Sequence, residues 1–216
     1  MACQSVHAKT GEKSSDDEKE WTCTISSGGI NHYERWIQPR PDLRVRERKV
    51  EMIADCSYDK TIQFLMNPEN SKKWMKGVKE VKEISAPENS TRQAYTIFNL
   101  PWPLNDQDMV SSQKLVAISE NQSVIKIESV NDFLPEYSKL RRIKSYYACW
   151  EIHEMTGNRA KVIFKVCSYD PLKIPKFIQD PIINKVFKGD FEKLKSILSQ
   201  LEFYSREEIV RADSDL

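Results

Sequence analysis

PKFIQDPIINKVFKGDFEKLKSILSQL, residues Pro175–Leu201, is the stretch on which the fold turns. Its apolar residues Phe177, Ile178, Ile182, Ile183, Val186, Phe187, Phe191, Leu194, Leu198 and Leu201 recur at three and four, with Lys176, Lys185, Lys188, Lys193 and Lys195 mostly elsewhere. This spacing predicts one long amphipathic helix. An apolar face so wide on a single long helix has to be buried, and the chain before it offers a sheet for that purpose.

Working back toward the N-terminus, the pattern is one of strands. WTCTIS and INHYERW alternate on either side of Gly28-Gly29 and read as a hairpin. LRVRERKVEMIA places Leu43, Val45 and Glu47 on one parity and then shifts to Val50, Met52 and Ala54, which predicts a long third strand with a bulge or bend. A helix follows, with Ser57 as its N-cap, Tyr58, Ile62 and Leu65 at helical spacing and Pro68 as its stop; a second short helix carries Trp74. Six further strands are expected near 78–84, 93–100, 109–118, 123–130, 143–155 and 159–169, separated by turn sequences such as PENS, ENQ and TGN. Connections this short cannot carry crossover helices, so the sheet should be antiparallel throughout. The fold class is therefore α+β: a curved antiparallel sheet of about nine strands around a long C-terminal amphipathic helix, with two short helices after the third strand.

Composition agrees with one packed domain. Hydrophobic residues make up 39% and charged residues 30% of the 216 positions, far from disordered or membrane-spanning extremes. Residues 1–20 hold three lysines against five acids, and residues 202–216 hold two arginines against five. With a formal net charge of +1, the middle carries +6, suited to an anionic membrane surface and too diffuse for nucleic acid. The expected boundaries are a polar tail at 1–18, a domain at 19–204 and an acidic tail at 205–216. Five cysteines without short paired spacing fit a reducing compartment, and with no signal-peptide pattern the expected location is cytoplasmic, although a start such as MACQS is also what a trimmed leader would leave.

The element order, the loop NLPWPLNDQDMV at Asn99–Val110, and the stretches GGINHYERW, LRRIKSYYACWEI and SYDPLKIPKF together resemble the START domain, the steroidogenic-acute-regulatory-protein-related lipid-transfer family, over about Trp21–Tyr204. The resemblance implies a helix-grip fold and a monomer that holds a lipid in a tunnel between sheet and C-terminal helix, without catalysis, cofactor or metal. Relatives of the same shape include polyketide cyclases, so a cyclase or aromatase using the same cavity is the alternative. The family usually has Arg-Asp where this chain has Gln107-Asp108, and often a pocket arginine where Gln113 stands. Both positions depart from the pattern behind a sterol-type head contact.

Strand parity then places Met109, Ser111, Gln113 and Leu115, Ile125 and Ile127, Tyr146 and Trp150, and Val162, Phe164 and Val166 toward the helix, which contributes Phe177, Ile182 and Val186. Tyr95 is expected at the same cavity. Pro101, Trp102 and Pro103 form a stiff lip at its mouth, Trp102 being either a membrane-interface ring or a plug beneath the loop. Lys139, Arg141, Arg142, Lys144, Lys173 and Lys176 supply attraction to a membrane touched transiently.

Other constellations carry blander readings. Asp106 and Asp108, with Tyr95 and Tyr147, are the only acid/base groups near the cavity, and aspartates at a strand start commonly accept backbone N–H bonds. Cys149, Glu151 and His153 share one strand face, opposite the apolar Tyr146, Ala148, Trp150 and Ile152, which predicts a solvated triplet rather than a catalytic or metal set. No HExxH, CxxC, GxGxxG or GK[ST] pattern occurs.

Overall fold

A computed structural model describes residues 20–84, 91–100, 102, 105–170 and 175–214, with side chains described throughout except at 176–179 and 202–214. The expected tail at 1–18, Pro101, Pro103, Lys173 and the side chains of Lys176 and Phe177 lie outside the described residues.

In chain order the elements are β1 (Thr22–Ser27), β2 (Ile30–Arg40), β3 (Leu43–Ala54), α1 (Tyr58–Met66), a 3-10 turn (Pro68–Asn70), α2 (Ser71–Trp74), β4 (Val78–Glu83), β5 (Thr91–Phe98), β6 (Gln107–Ser119), β7 (Gln122–Ser129), β8 (Arg141–Arg142), β9 (Tyr146–Met155), β10 (Arg159–Ser168) and α3 (Lys176–Ser214). The sheet runs β1-β2-β3-β10-β9-β7-β6-β5-β4, nine strands in antiparallel sequence. The two residues of β8 pair parallel with β6, an exception to the wholly antiparallel sheet expected from connection length. The 11 residues between β7 and β8 are long enough to bring the chain back alongside the start of β6. Helix α3 continues to Ser214, ten residues past the boundary expected at 204.

Local chemistry explains the corners. Gly28 and Gly29 both have positive φ, 60° and 72°, as a two-residue hairpin turn requires. A Cβ on Gly29 would stand 3.0 Å from the Lys195 ammonium, which itself donates to the Gly28 carbonyl at 2.8 Å. Ser57 precedes α1 with extended backbone, yet its hydroxyl makes no cap; instead its carbonyl accepts from both the Thr61 amide and hydroxyl, at 3.0 and 2.9 Å. Pro68 ends the run and opens the 3-10 turn, where Asn67 caps the Glu69 N–H at 3.0 Å.

Helix α3 buries its apolar face on the sheet. Leu194 and Leu198 have no exposed surface, and Phe191 packs among Trp74, Trp150, Phe164 and Phe187 at ring distances of 5.5–5.9 Å. Each such side chain contributes about 1.5–3 kcal/mol on burial. Asp190, one turn earlier than Leu194, accepts the Lys76 N–H at 2.9 Å and so ties α3 to the segment after α2.

Strand β3 has no bulge at the parity change between Glu47 and Val50; the irregularity in its pairing with β2 lies earlier, between Ile37 and Arg40 opposite Val45 and Leu43. Its pairing with β10 is continuous from Arg48 to Ala54, and with β2 from Val45 to Met52. One parity therefore carries Arg44, Arg46 and Arg48 onto the same face as Val50, Met52 and Ala54. The sequence rule that charged positions face water fails here because these arginines have carboxylate and aromatic partners on that face.

Candidate ligand cavity

Between the concave sheet face and the helices lies a cavity of about 500 Å³. Of the residues assigned to it by parity, Met109, Ser111, Gln113, Ile127, Tyr146, Trp150, Phe164, Val166, Ile182 and Val186 line its wall, while Val162 lies in the packed core. Leu115 and Ile125 have the expected orientation but belong to the packed core beside it. Tyr95 is on the opposite face: it pairs with Val110 in the ladder, and the neighbouring Thr96 and Phe98 point inward.

The polar groups on the wall divide into neutral and charged sets. Gln113 is buried and donates to the Leu65 carbonyl at 2.6 Å, joining β6 to α1 where a cation was the family pattern. Gln107 is buried on the wall and makes no side-chain hydrogen bond among the described residues, so its amide is open to a ligand. Burial pushes the Cys167 thiol up to about 12, which removes it as a nucleophile near neutrality. Burial raises Tyr146 as well, so its phenol stays protonated.

The charged set is one that sequence reasoning missed. Arg46 reaches Glu34 at 3.0 Å and Asp180 at 2.7 Å; Arg48 reaches the same two carboxylates at 3.2 and 3.4 Å. Desolvation lowers the Arg48 pKa while Glu34 and Asp180 oppose it. The Trp36 ring lies beneath two guanidiniums, Arg44 at 4.9 Å and Arg46 at 4.7 Å. The period-two run of arginines in RVRERK was the available signal, since it continues the parity of Val50 and Met52.

Asp108 was expected to secure a turn through backbone N–H groups. It is instead fully buried and holds side chains: Arg142 Nε donates to Oδ1 at 3.0 Å, Arg142 Nη2 to Oδ2 at 3.0 Å, and the Tyr95 hydroxyl to Oδ2 at 2.9 Å. Arg142 was expected as a surface cation and is buried, donating also to the Leu134 and Pro135 carbonyls at 3.1 and 2.9 Å. The guanidinium beside this aspartate thus comes from β8, and the preceding position is free to put Gln107 on the wall. Neither Asp106, Asp108, Tyr95 nor Tyr147 lines the cavity.

The Cys149, Glu151 and His153 face does point away from the cavity, but it is not solvated. Cys149 and Glu151 are buried, because Lys165 lies over this side of the sheet and pairs with Glu151 at 2.6 Å. Among the described residues no group of three or more His, Cys, Asp or Glu is placed to hold a metal ion. No described helix is long and apolar enough to cross a membrane.

Two loops meet at the start of β6. The Arg141 N–H donates to the Asp106 carbonyl at 3.2 Å, linking the 99–106 loop to the 130–140 loop. Trp102 is 90% exposed, and Phe133 and Tyr137 on the second loop are exposed too. Lys144, also expected to attract a membrane, is paired with Glu136 at 2.7 Å on the surface.

No protein-family model matches the sequence, and no curated protein matches it. Solved structures match in shape. The STAR-related lipid transfer protein from Xanthomonas axonopodis superposes with a TM-score of 0.72 at 20% identity, over 82% of this chain and 98% of that one. Human STARD10 gives 0.70 at 16%, over 88% and 78% respectively. The chain has the START fold. A START-like shape also extends to the Zhui aromatase/cyclase from Streptomyces sp. R1128, with a TM-score of 0.54 at 7% identity, over 72% of this chain and 94% of that one. The START fold places the cavity between sheet and C-terminal helix and assigns it no chemistry by itself.

Proposed function

We propose that this protein is a non-enzymatic lipid carrier or sensor that holds one hydrophobic ligand in the cavity and exchanges it during transient contact with a membrane. The observation that carries this reading is the cavity itself: about 500 Å³, within the range that encloses a single small ligand, and walled mainly by apolar side chains. Transferring a chain of about sixteen methylenes from water is worth roughly 13 kcal/mol. Leaving a bilayer costs a comparable amount, so an apolar cavity makes exchange nearly balanced. The exposed Trp102, Phe133 and Tyr137 on the two joined loops have the amphipathic or apolar rings that suit a membrane interface. The likeness in fold to the STAR-related lipid transfer protein from Xanthomonas axonopodis supports the lipid reading. The acid/base groups on which a cyclase reading rested lie off the cavity wall.

The test is native mass spectrometry and lipid extraction of the purified protein, followed by vesicle-to-vesicle transfer. The expected result is a retained lipid and protein-dependent transfer. No retained lipid together with no transfer of any common class would sink the reading.

A further inference from the structure

The ends of the cavity wall are chemically unequal. On the β2–β3 side it carries Arg44, Arg46 and Arg48, with Arg141 elsewhere on the wall, and among the described residues two carboxylates, Glu34 and Asp180, reach the three. That leaves a local charge of one positive. Arg44 has no carboxylate partner among the described residues; its contact is the Trp36 ring at 4.9 Å. The same ring also meets Arg46 at 4.7 Å. Two like charges over one indole repel each other, and an anion between them would turn that repulsion into attraction. The remaining carboxylates on the wall are committed elsewhere. Asp170 accepts the Lys144 and Ser145 N–H groups at 2.6 and 2.9 Å, and Asp190 accepts that of Lys76 at 2.9 Å.

Beyond the arginines the wall is apolar: Trp150, Phe164, Ile182 and Val186 line it.

Building on the lipid-binding reading, we infer that the ligand is an anionic amphiphile whose head, a carboxylate or a phosphate monoester, is held by Arg44 and Arg46 beside Trp36. The planar forks of the guanidiniums suit either head through paired N–H donors. Arg46 and Arg48 stay anchored by Glu34 and Asp180, which presents them at the wall without collapse onto each other. Arg44 is the exposed member and completes the grip.

The test uses the delipidated full chain and three probes of matched chain length: oleate, oleoyl lysophosphatidate and the neutral oleyl alcohol, all below their aggregation thresholds. Calorimetric titration of wild type should show at least one anion binding about tenfold or more tighter than the alcohol, the scale of one charged hydrogen bond. Which anion binds tighter identifies the head as carboxylate or phosphate. In Arg44→Gln the anion advantage should fall to about threefold or less while the alcohol's affinity and the melting temperature stay unchanged. The advantage should also shrink as salt rises. Equal binding of the alcohol and both anions, or an anion advantage intact in Arg44→Gln, overturns the inference and leaves the lipid-binding reading standing. Failure of all three probes to bind overturns this inference alone, because retained lipid and vesicle-to-vesicle transfer test the lipid-binding reading separately.

Discussion

Replacing Asp108 by alanine should destabilise the protein more than any exposed substitution, and the geometry says by how much. Asp108 has no exposed surface, and its two oxygens accept three hydrogen bonds, two from Arg142 and one from Tyr95. The alanine variant leaves a guanidinium, itself buried, without its counter-charge. Breaking a buried pair from one side costs about 3–5 kcal/mol, most of it the desolvation of the charge left behind. For a domain of this size each kcal/mol lowers the melting temperature by about 2–4 °C, so the expected drop is about 6–20 °C. Thermal and urea unfolding followed by circular dichroism would measure it. Replacing both partners, with Asp108→Leu and Arg142→Met, should recover most of the loss, because no charge is then stranded. A loss below about 1 kcal/mol for Asp108→Ala, or a double variant as unstable as the single, would show that the pair does not hold the 130–140 loop to β6 and would refute the reasoning.

Trp102→Ala should slow vesicle-to-vesicle transfer with no fall in melting temperature, since the ring is 90% exposed; unchanged transfer would remove Trp102 from membrane contact. Leu194→Ala should cost about 2–5 kcal/mol by urea unfolding, because the side chain is fully buried between helix and sheet. A cost under about 1 kcal/mol would mean that α3 does not close on the concave face as described. Burial holds His32 below its ordinary value of 6.5. The unfolded chain therefore takes up the proton first, and stability present above 6.5 should be lost as pH falls through that value and below it. His32→Gln should flatten that slope between about pH 7.5 and 5.5, and an unaltered slope would assign the effect to other groups.

The fold was legible wherever one periodicity dominated. Leu194 and Leu198 announced a helix with a buried face, and the short turns at Gly28-Gly29 and TGN announced antiparallel neighbours. Parity along β6, β9 and β10 found that part of the cavity wall that these strands supply, because Met109, Trp150 and Phe164 sit in strands whose two faces differ clearly in polarity. Reading failed where charge was buried with a partner distant in sequence. Arg46 and Arg48 drew no assignment from the sequence, because their partner Asp180 lies more than 130 residues later. Arg142 read as a surface cation until Asp108 is placed beside it. Tyr95 went to the wrong side for the same reason: its hydroxyl is satisfied by Asp108 on the outer face. No local pattern encodes which polar residues will find each other across the sheet.

The bond from Lys195 to the Gly28 carbonyl joins residues 167 positions apart. It implies an order of events during synthesis. The hairpin and β3 leave the ribosome early, but the helix that covers their concave face is made last, about 7–30 s later at typical elongation rates. Through that interval Val50 and Met52 lack the cover of Leu194 and Leu198, so the apolar inner face stays open to solvent until the helix is complete. On the proposed lipid-binding reading, an amphiphile that met the chain then would be enclosed by completion of folding itself, and first loading need not follow the same route as later exchange.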